Sequence, residues 1–220
     1  FVEGDSNRLA RSAGMAVANK PGGTSFNPLL IYGGVGLGKT HLGHAIGVEI
    51  KDKYPDKTVL YISSEKFTQQ FIDSVKSNTR NDFIHFYQMI DVLIIDDVQF
   101  LSGKTGTQDV FFHIFNHLHQ NGKQVILTSD KAPVDMQDIE QRLLSRFKWG
   151  LSAELQAPDY ETRISILQNK LYRDGVEMPE EIVEYIAKNI KSNVRELEGV
   201  IISMIAQASF NRKEFTIELA

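Results

Sequence analysis

The sequence predicts an α/β fold: a parallel β-sheet with helices on both faces, followed by a small helical domain. Three observations carry this. Four short runs, "LLIY" (29–32), "VLYI" (59–62), "VLIID" (92–96) and "QVILTSD" (124–130), are apolar on both faces, as strands buried in a parallel sheet are. Segments of helical period lie between them, the alternation that builds a parallel sheet. Beyond Pro158 the apolar spacing is helical throughout, apart from one short strand candidate, "EFTI" (214–217).

In chain order, Leu42, Ala45, Ile46 and Ile50 recur at helical spacing after the first run, and Val110, Phe111, Ile114, Phe115 and Leu118 before the fourth. The 28 residues between Ile62 and Asp91 exceed the roughly dozen that a crossover needs. "SEKFTQQFIDSVK" (64–76) and "RNDFIHFYQM" (80–89) read as a helix pair inserted there, within 64–90. Helices are expected over 160–173, 179–190 and 192–209. The domain boundary falls between Ala157 and Pro158, giving an α/β unit 1–157 and a helical unit 158–220.

Bulk properties narrow the class. A chain of 220 residues, 42% hydrophobic and 24% charged, can bury a good core. No run approaches the roughly 18 apolar residues of a membrane span. With no cysteine the chain has neither disulfides nor thiolate metal sites, and a cytoplasmic location is expected. A net charge of −4 argues against a general nucleic-acid coat, though not against a local basic groove. The chain opens on Phe1 rather than Met and is expected to be a piece of a longer protein.

The first run leads into "GGVGLGKT" (33–40), which fits G-x-x-x-x-G-K-[ST]. A strand precedes it and a helix follows, the context a phosphate-cradling loop requires. Backbone N–H groups of Gly33, Gly34, Val35, Gly36, Leu37 and Gly38 would wrap the phosphates, with His41 counted at the end of the loop. Lys39 would reach the β- and γ-phosphates, Thr40 would ligate Mg²⁺, and the helix N-terminus adds its positive end.

The third run ends in Asp96 and Asp97. Asp96 can hold the magnesium. Asp97 either orients and deprotonates an attacking water or only caps the turn that follows. Many P-loop proteins place Glu there. Asp is one methylene shorter, so slow hydrolysis is expected, suited to a timer more than a motor. The fourth run ends in Thr128, Ser129 and Asp130, polar groups at the carboxyl end of a parallel strand, where ligands bind. One of them senses the γ-phosphate, or the segment is an ordinary turn.

Arginines add a further signal. In "DIEQRLLSRFKWG" Arg142 and Arg146 stand four apart on one helix face. Asp138 can compensate Arg142. Arg146 has no acid at i±3 or i±4, so it is solvated, held by the helix dipole, or awaiting an outside anion. An arginine finger supplied in trans is such a case and is worth ~10³–10⁵ in rate. In "KSNVRELEGV" a helix should start at Ser192 or Asn193, putting Arg195 in its first turn, where the dipole disfavours a cation by roughly 0.3–1 kcal/mol. Glu198 or a nucleotide phosphate would compensate it. His113 and His117 are spaced i, i+4 but lack a third ligand, so surface roles are expected.

The runs "NPLLIYGGVGLGKTHL", "VLIIDDVQFL", "VILTSD", "QRLLSRFKWGL" and "NVRELEG", with the opening "FVEGDSNRLA", resemble in order the AAA+ ATPase core of the bacterial DnaA replication initiators. The resemblance implies a P-loop AAA+ domain with a parallel five-stranded sheet flanked by helices, followed by a small helical lid. It implies ATP or ADP and Mg²⁺ as ligands, weak ATPase activity, Asp130 as first sensor and Arg195 as second. Arg146 would be the finger reaching a neighbour's ATP, with Arg142 beside it. Val2, Gly4 and Asn7 would border the adenine.

It further implies ATP-dependent self-assembly into a helical filament that engages single-stranded DNA and promotes origin opening. The inserted helix pair would contribute Ile72, and the segment 104–107 would contribute Lys104 and Thr107. Gly106 departs from the family, which often has Arg there, so strand binding should be weaker or lean on Lys76 and Arg80. Origin duplex and the replicative helicase would be engaged by C- and N-terminal domains outside this chain. No basic amphipathic helix favours acidic phospholipids, which stay undetermined. The rival readings are a helicase loader or regulatory paralogue of the same fold, a small-molecule P-loop kinase, and a non-hydrolysing nucleotide-gated scaffold.

Overall fold

The computed structural model describes residues 1–211 and 215–220. The chain divides into two compact units. One, the sheet unit, is Leu9–Gly33 with Lys39–Glu154; the other, the lid unit, is Phe1–Arg8 with Gly34–Gly38 and Leu155–Ala220. The sequence boundary after Ala157 lies close to the last of these divisions, and the two short N-terminal pieces join the lid unit as well.

Five strands, β1 Leu29–Gly33, β2 Val59–Ser63, β3 Val92–Asp96, β4 Gln124–Ser129 and β5 Leu151–Leu155, form one sheet in the order β2-β3-β4-β1-β5. The β2–β3, β3–β4 and β4–β1 ladders are parallel. Every residue of β3 and β4 is buried, which is why each carries an apolar run, 92–95 and 125–127. The edge strand β5 gave no such run, because it exposes Glu154 beside the buried Ala153. Gly150 lets this strand in. A Cβ there would stand 2.0 Å from the Pro28 carbonyl oxygen, the acceptor of the Leu151 amide at 3.1 Å.

Around the sheet lie α1 Arg8–Asn19, α2 Lys39–Lys53, α3 Ser64–Lys76, α4 Arg80–Gln88, α5 Thr105–Gln120 and α6 Gln141–Phe147. Helix α1 buries Ala10, Ala13, Gly14, Val17 and Ala18, all but Val17 too small to give a clear apolar signal in sequence. The inserted pair α3–α4 is built into the main core. Ser63 caps α3 by accepting the Lys66 amide at 3.2 Å. Phe67 then packs against Phe83, Tyr87 and Phe111 with ring centroids 5.3, 4.9 and 5.6 Å apart. Each such pair contributes about 0.5–1.5 kcal/mol beyond area burial. The same two helices leave Ile72, Val75 and Phe86 exposed, and Met89, just after α4, is exposed as well.

In the lid unit, α7 Tyr160–Asp174, α8 Glu180–Asn189 and α9 Val194–Asn211 close over Leu167, Leu171, Ile182, Ile186, Leu197 and Ile201. Asp159 caps α7 by accepting the Thr162 amide at 2.8 Å, and hydrogen bonding from the Thr162 side chain, then from this amide, holds its carboxyl below the usual range. The buried Arg163 donates to the Ala187 and Pro158 carbonyls, both at 2.7 Å, and so stitches α7 to the end of α8. Of the expected strand at 214–217, Glu214 lies outside the described residues, and Phe215 to Ile217 are not in a strand. The Leu219 amide donates to the Thr216 carbonyl instead, forming a turn. No helix among the described residues is long and apolar enough to cross a membrane.

Candidate nucleotide site

In the sheet unit, β1 ends at Gly33, and its carbonyl accepts the Lys39 ammonium at 2.8 Å. Lys39 is buried at the first turn of α2, and Thr40 beside it donates to both Asp96 oxygens at 3.0 and 3.2 Å. Parallel pairing sets β2, β3 and β4 side by side, so two further hydroxyls converge on the same carboxylate. Tyr61 and Thr128 both donate to Asp96. Sequence reading named neither as a partner of Asp96. Their positions near the carboxyl ends of flanking strands were the available signal. Burial, and then the Asp96 carboxylate, pushes the Tyr61 hydroxyl well above its ordinary pKa. His44 stacks on its ring at 3.9 Å.

Asp97 sits in the left-handed region at φ 57°, and its amide donates to Thr128 Oγ1 at 2.9 Å. Burial raises its carboxyl above the usual range, and the charge of Asp96 adds to this. Gln99 ties two candidates together. Its Nε2 donates to Asp97 Oδ1 at 3.3 Å and its Oε1 accepts the Asp130 amide at 3.4 Å. Asp130 Oδ1 is buried without a hydrogen-bond partner among the described residues. A buried carboxylate oxygen left unpaired is costly, and a ligand-borne donor or cation would relieve it. The Thr40 hydroxyl and Asp96 carboxylate are hard oxygen donors about 3 Å apart, and fit Mg²⁺, which takes one or two protein oxygens and substrate phosphates.

In the lid unit, the loop 34–38 is tied to the start of α9. The Gly36 carbonyl accepts the Val194 amide at 3.0 Å and the Arg195 amide at 3.3 Å. Gly36 has φ +75°, and a Cβ there would meet Asn193 Oδ1 at 2.7 Å and Arg195 Cβ at 3.1 Å. Asn193 in turn caps α9, accepting the Glu196 amide at 2.9 Å. Arg195 is exposed, as is Glu198, one of the two partners its position suggested. The N-terminal segment folds on itself, with Asn7 Oδ1 accepting the Gly4 amide at 3.0 Å and Asn7 Nδ2 donating to the Val2 carbonyl at 2.8 Å. Gly4 also belongs here for lack of room, since a Cβ would lie 2.2 Å from Thr162 Oγ1. Val35 and His41 are exposed.

Arg142 is neutralised, but not by the Asp138 its spacing suggested. It donates to Asp109 and Glu140, both at 2.6 Å. Asp138 instead takes φ 54° and gives its carbonyl to Gly103 and Gln108. Arg146 has no acidic partner among the described residues; its Nε donates to Asn116 Oδ1 at 2.8 Å. Of the residues expected on DNA, Ile72 and Lys104 are exposed, whereas Thr107 is 4% exposed and packs inward on α5. The period Thr107, Val110, Phe111, Ile114 could have shown this. Arg80 approaches Asp109 at 4.0 Å, Lys76 and Gly106 are exposed, and His113 stands 3.8 Å from Asp109.

A glycine loop between the inner strand β1 and a helix, with an acid at the tip of another inner strand, β3, and a helical lid after the sheet, defines the P-loop AAA+ class. The model of the bacterial DnaA ATPase domain matches residues 1–154. The chain belongs to that family. It is 87% identical over all 220 residues to the chromosomal replication initiator protein DnaA of Flavobacterium psychrophilum, covering 46% of that protein. It thus spans about half the length of the curated relatives it matches. Domain III of the Thermotoga maritima replication initiation protein DnaA superposes with a TM-score of 0.96 at 45% identity, covering all of this chain and 91% of that one. A replication initiator DnaA bound to AMPPCP and single-stranded DNA superposes with a TM-score of 0.86 at 40% identity, covering 96% of this chain and 66% of that one.

Proposed function

We propose that this chain is the ATP-binding and slowly hydrolysing core of a cytoplasmic DNA replication initiator, a nucleotide switch that assembles with ATP and engages single-stranded origin DNA. The observation that carries this reading is the pair of amides, Val194 and Arg195, donating to the Gly36 carbonyl. A cation in the first turn of α9 is thereby fastened to the phosphate loop, where a bound anion offsets the dipole penalty it carries. Arg195 then reports the phosphates to the lid as second sensor.

Lys39 would turn from the Gly33 carbonyl to the β- and γ-phosphates, and Thr40 and Asp96 would hold Mg²⁺. When bound, the ion neutralises charge developing on the transferred phosphoryl oxygens. Asp97 orients the attacking water and accepts its proton. Its raised pKa brings it nearer the working pH, while its short reach keeps turnover slow. Asp130, with an unpaired oxygen, is the first sensor. Arg146 completes a neighbour's site, with Arg142 beside it. Val2, Gly4 and Asn7 border the adenine. Single-stranded DNA follows Ile72 and Lys104 to the first turn of α5, where Thr107 contributes its backbone amide, its side chain being buried. Origin duplex and helicase are engaged by domains that flank this core in the longer initiator.

Light scattering with ATP and with ADP, in the presence of a fluorescent oligo-dT strand, tests the reading. ATP alone should drive assembly and strand binding, and Arg146→Ala should abolish assembly. A chain that stays monomeric and ignores the strand with both nucleotides refutes it.

A further inference from the structure

Arg146 is held by rings and an amide, not by an acid. Its guanidinium carbon lies 3.9 Å from the Trp149 ring centroid and 5.1 Å from that of Phe112, while Nε donates to Asn116. Among the described residues its two terminal amino groups have no hydrogen-bond partner. Trp149 is the chain's one tryptophan. Its amide donates to the Arg146 carbonyl at 3.2 Å, and its ring leans on His119 and Phe115 with centroids 4.8 and 6.2 Å away. Still, 47% of Trp149 is exposed, a large share for so big an apolar side chain.

The neighbouring Arg142 shows the contrast. It also lies over Phe112, at 4.5 Å, yet two carboxylates occupy its donors. An arginine meant for an outside phosphate cannot be held in that way, because a local carboxylate would compete for the same N–H edge. Left in solvent, it would lose side-chain entropy on each engagement. An aromatic face resolves both difficulties. It attracts the cation through the ring quadrupole and leaves the N–H edge free.

We propose that Trp149 is a positioning residue that presents Arg146 to the nucleotide phosphate of a neighbouring copy of this chain, with Asn116 fixing the Nε edge. This rests on the reading of Arg146 as a finger supplied in trans. The exposed face of Trp149 becomes part of the same contact between copies.

The test compares ATP-driven assembly of the wild type, Trp149→Phe, Trp149→Leu and Arg146→Ala by light scattering, with ADP titration and thermal melting as checks on folding. Leu removes the ring and should weaken assembly about tenfold, whereas Phe, a poorer but real π-face, should recover most of that loss. Tryptophan emission of the wild type should shift to shorter wavelength when ATP, but not ADP, is added, as the ring is covered by the next copy. Arg146→Ala should show no such shift. If Arg146→Ala fails to assemble while both Trp149 variants assemble like the wild type, the finger stands and the positioning role is overturned. Assembly of Arg146→Ala at wild-type strength, or no assembly of the wild type, overturns the finger and this inference together. Should Trp149→Leu melt too low to use, the emission decides: an unchanged spectrum on ATP-driven assembly refutes the proposal.

Discussion

Replacing Gly36 by alanine should cut ATP affinity sharply. An L residue in the left-handed region costs about 1 kcal/mol or more. The new Cβ would also stand 2.7 Å from Asn193 Oδ1 and 3.1 Å from Arg195 Cβ, side-chain atoms at the start of α9. Relief requires Asn193 to give up the Glu196 amide, and losing such a cap costs about 1 kcal/mol. Together the strain is about 2–3 kcal/mol, borne whenever the loop and the α9 start hold their present arrangement. At about 1.4 kcal/mol per decade, ATP binding weakens about 30- to 100-fold. Titration of a fluorescent ATP analogue measures this, with melting of the nucleotide-free chain alongside. Gly34→Ala, whose Cβ meets only Leu37 Cδ1 at 3.6 Å, should leave that melting temperature unchanged. Wild-type ATP affinity in Gly36→Ala would refute the claim that the Gly36 contact to α9 supports nucleotide binding.

Three further expectations follow from the same geometry. Asp97 has a raised folded-state pKa, so its ionised form costs stability above that pKa and the cost fades as pH falls through it. Asp97→Asn, which tolerates the left-handed backbone, should therefore melt higher than wild type at neutral pH, converge with it in acid, and lose hydrolysis; equal melting at pH 7 by calorimetry argues against it. Gly150→Ala drives a Cβ into the Pro28 carbonyl and should destabilise by about 3 kcal/mol, lowering the melting temperature roughly 6–12 °C in thermal denaturation. Lys104→Ala should flatten the salt dependence of oligo-dT binding by about 0.7 in log–log slope, one phosphate contact's worth, as fluorescence anisotropy at several salt concentrations would show.

Strands β1, β3 and β4 could be read from the sequence because burial leaves an apolar run in each, whereas β2, expected to be buried, reads the same way although it is an edge strand with only Ile62 buried. The fifth, β5, and helix α1 could not, since β5 is interrupted by Ser152 and Glu154 and the residues α1 buries are mostly alanine. Among site residues, Lys39 and Thr40 are named by the loop motif and Asp96 by its place at a strand end; Thr40 does meet Asp96, and Lys39 lies against the Gly33 carbonyl. What escaped depends on distance along the chain. Tyr61 and Thr128 reach Asp96 only through strand pairing, and Arg142 finds Asp109 from 33 residues away. Local arithmetic offered Asp138, whose left-handed backbone serves the turn that receives Gly103.

The division of the chain bears on how it could be cut. Residues 158–220 look like a module that a single scission would release, yet their compact unit also draws on Phe1–Arg8 and Gly34–Gly38. Expressed from 158 onward, the helices would lack Gly36, whose carbonyl receives the first amides of α9, and Gly4, against which Thr162 packs. The polypeptide passes between the units four times, at 8–9, 33–34, 38–39 and 154–155. Recombination that swaps this unit between relatives would have to carry the glycine loop and residues 1–8 along.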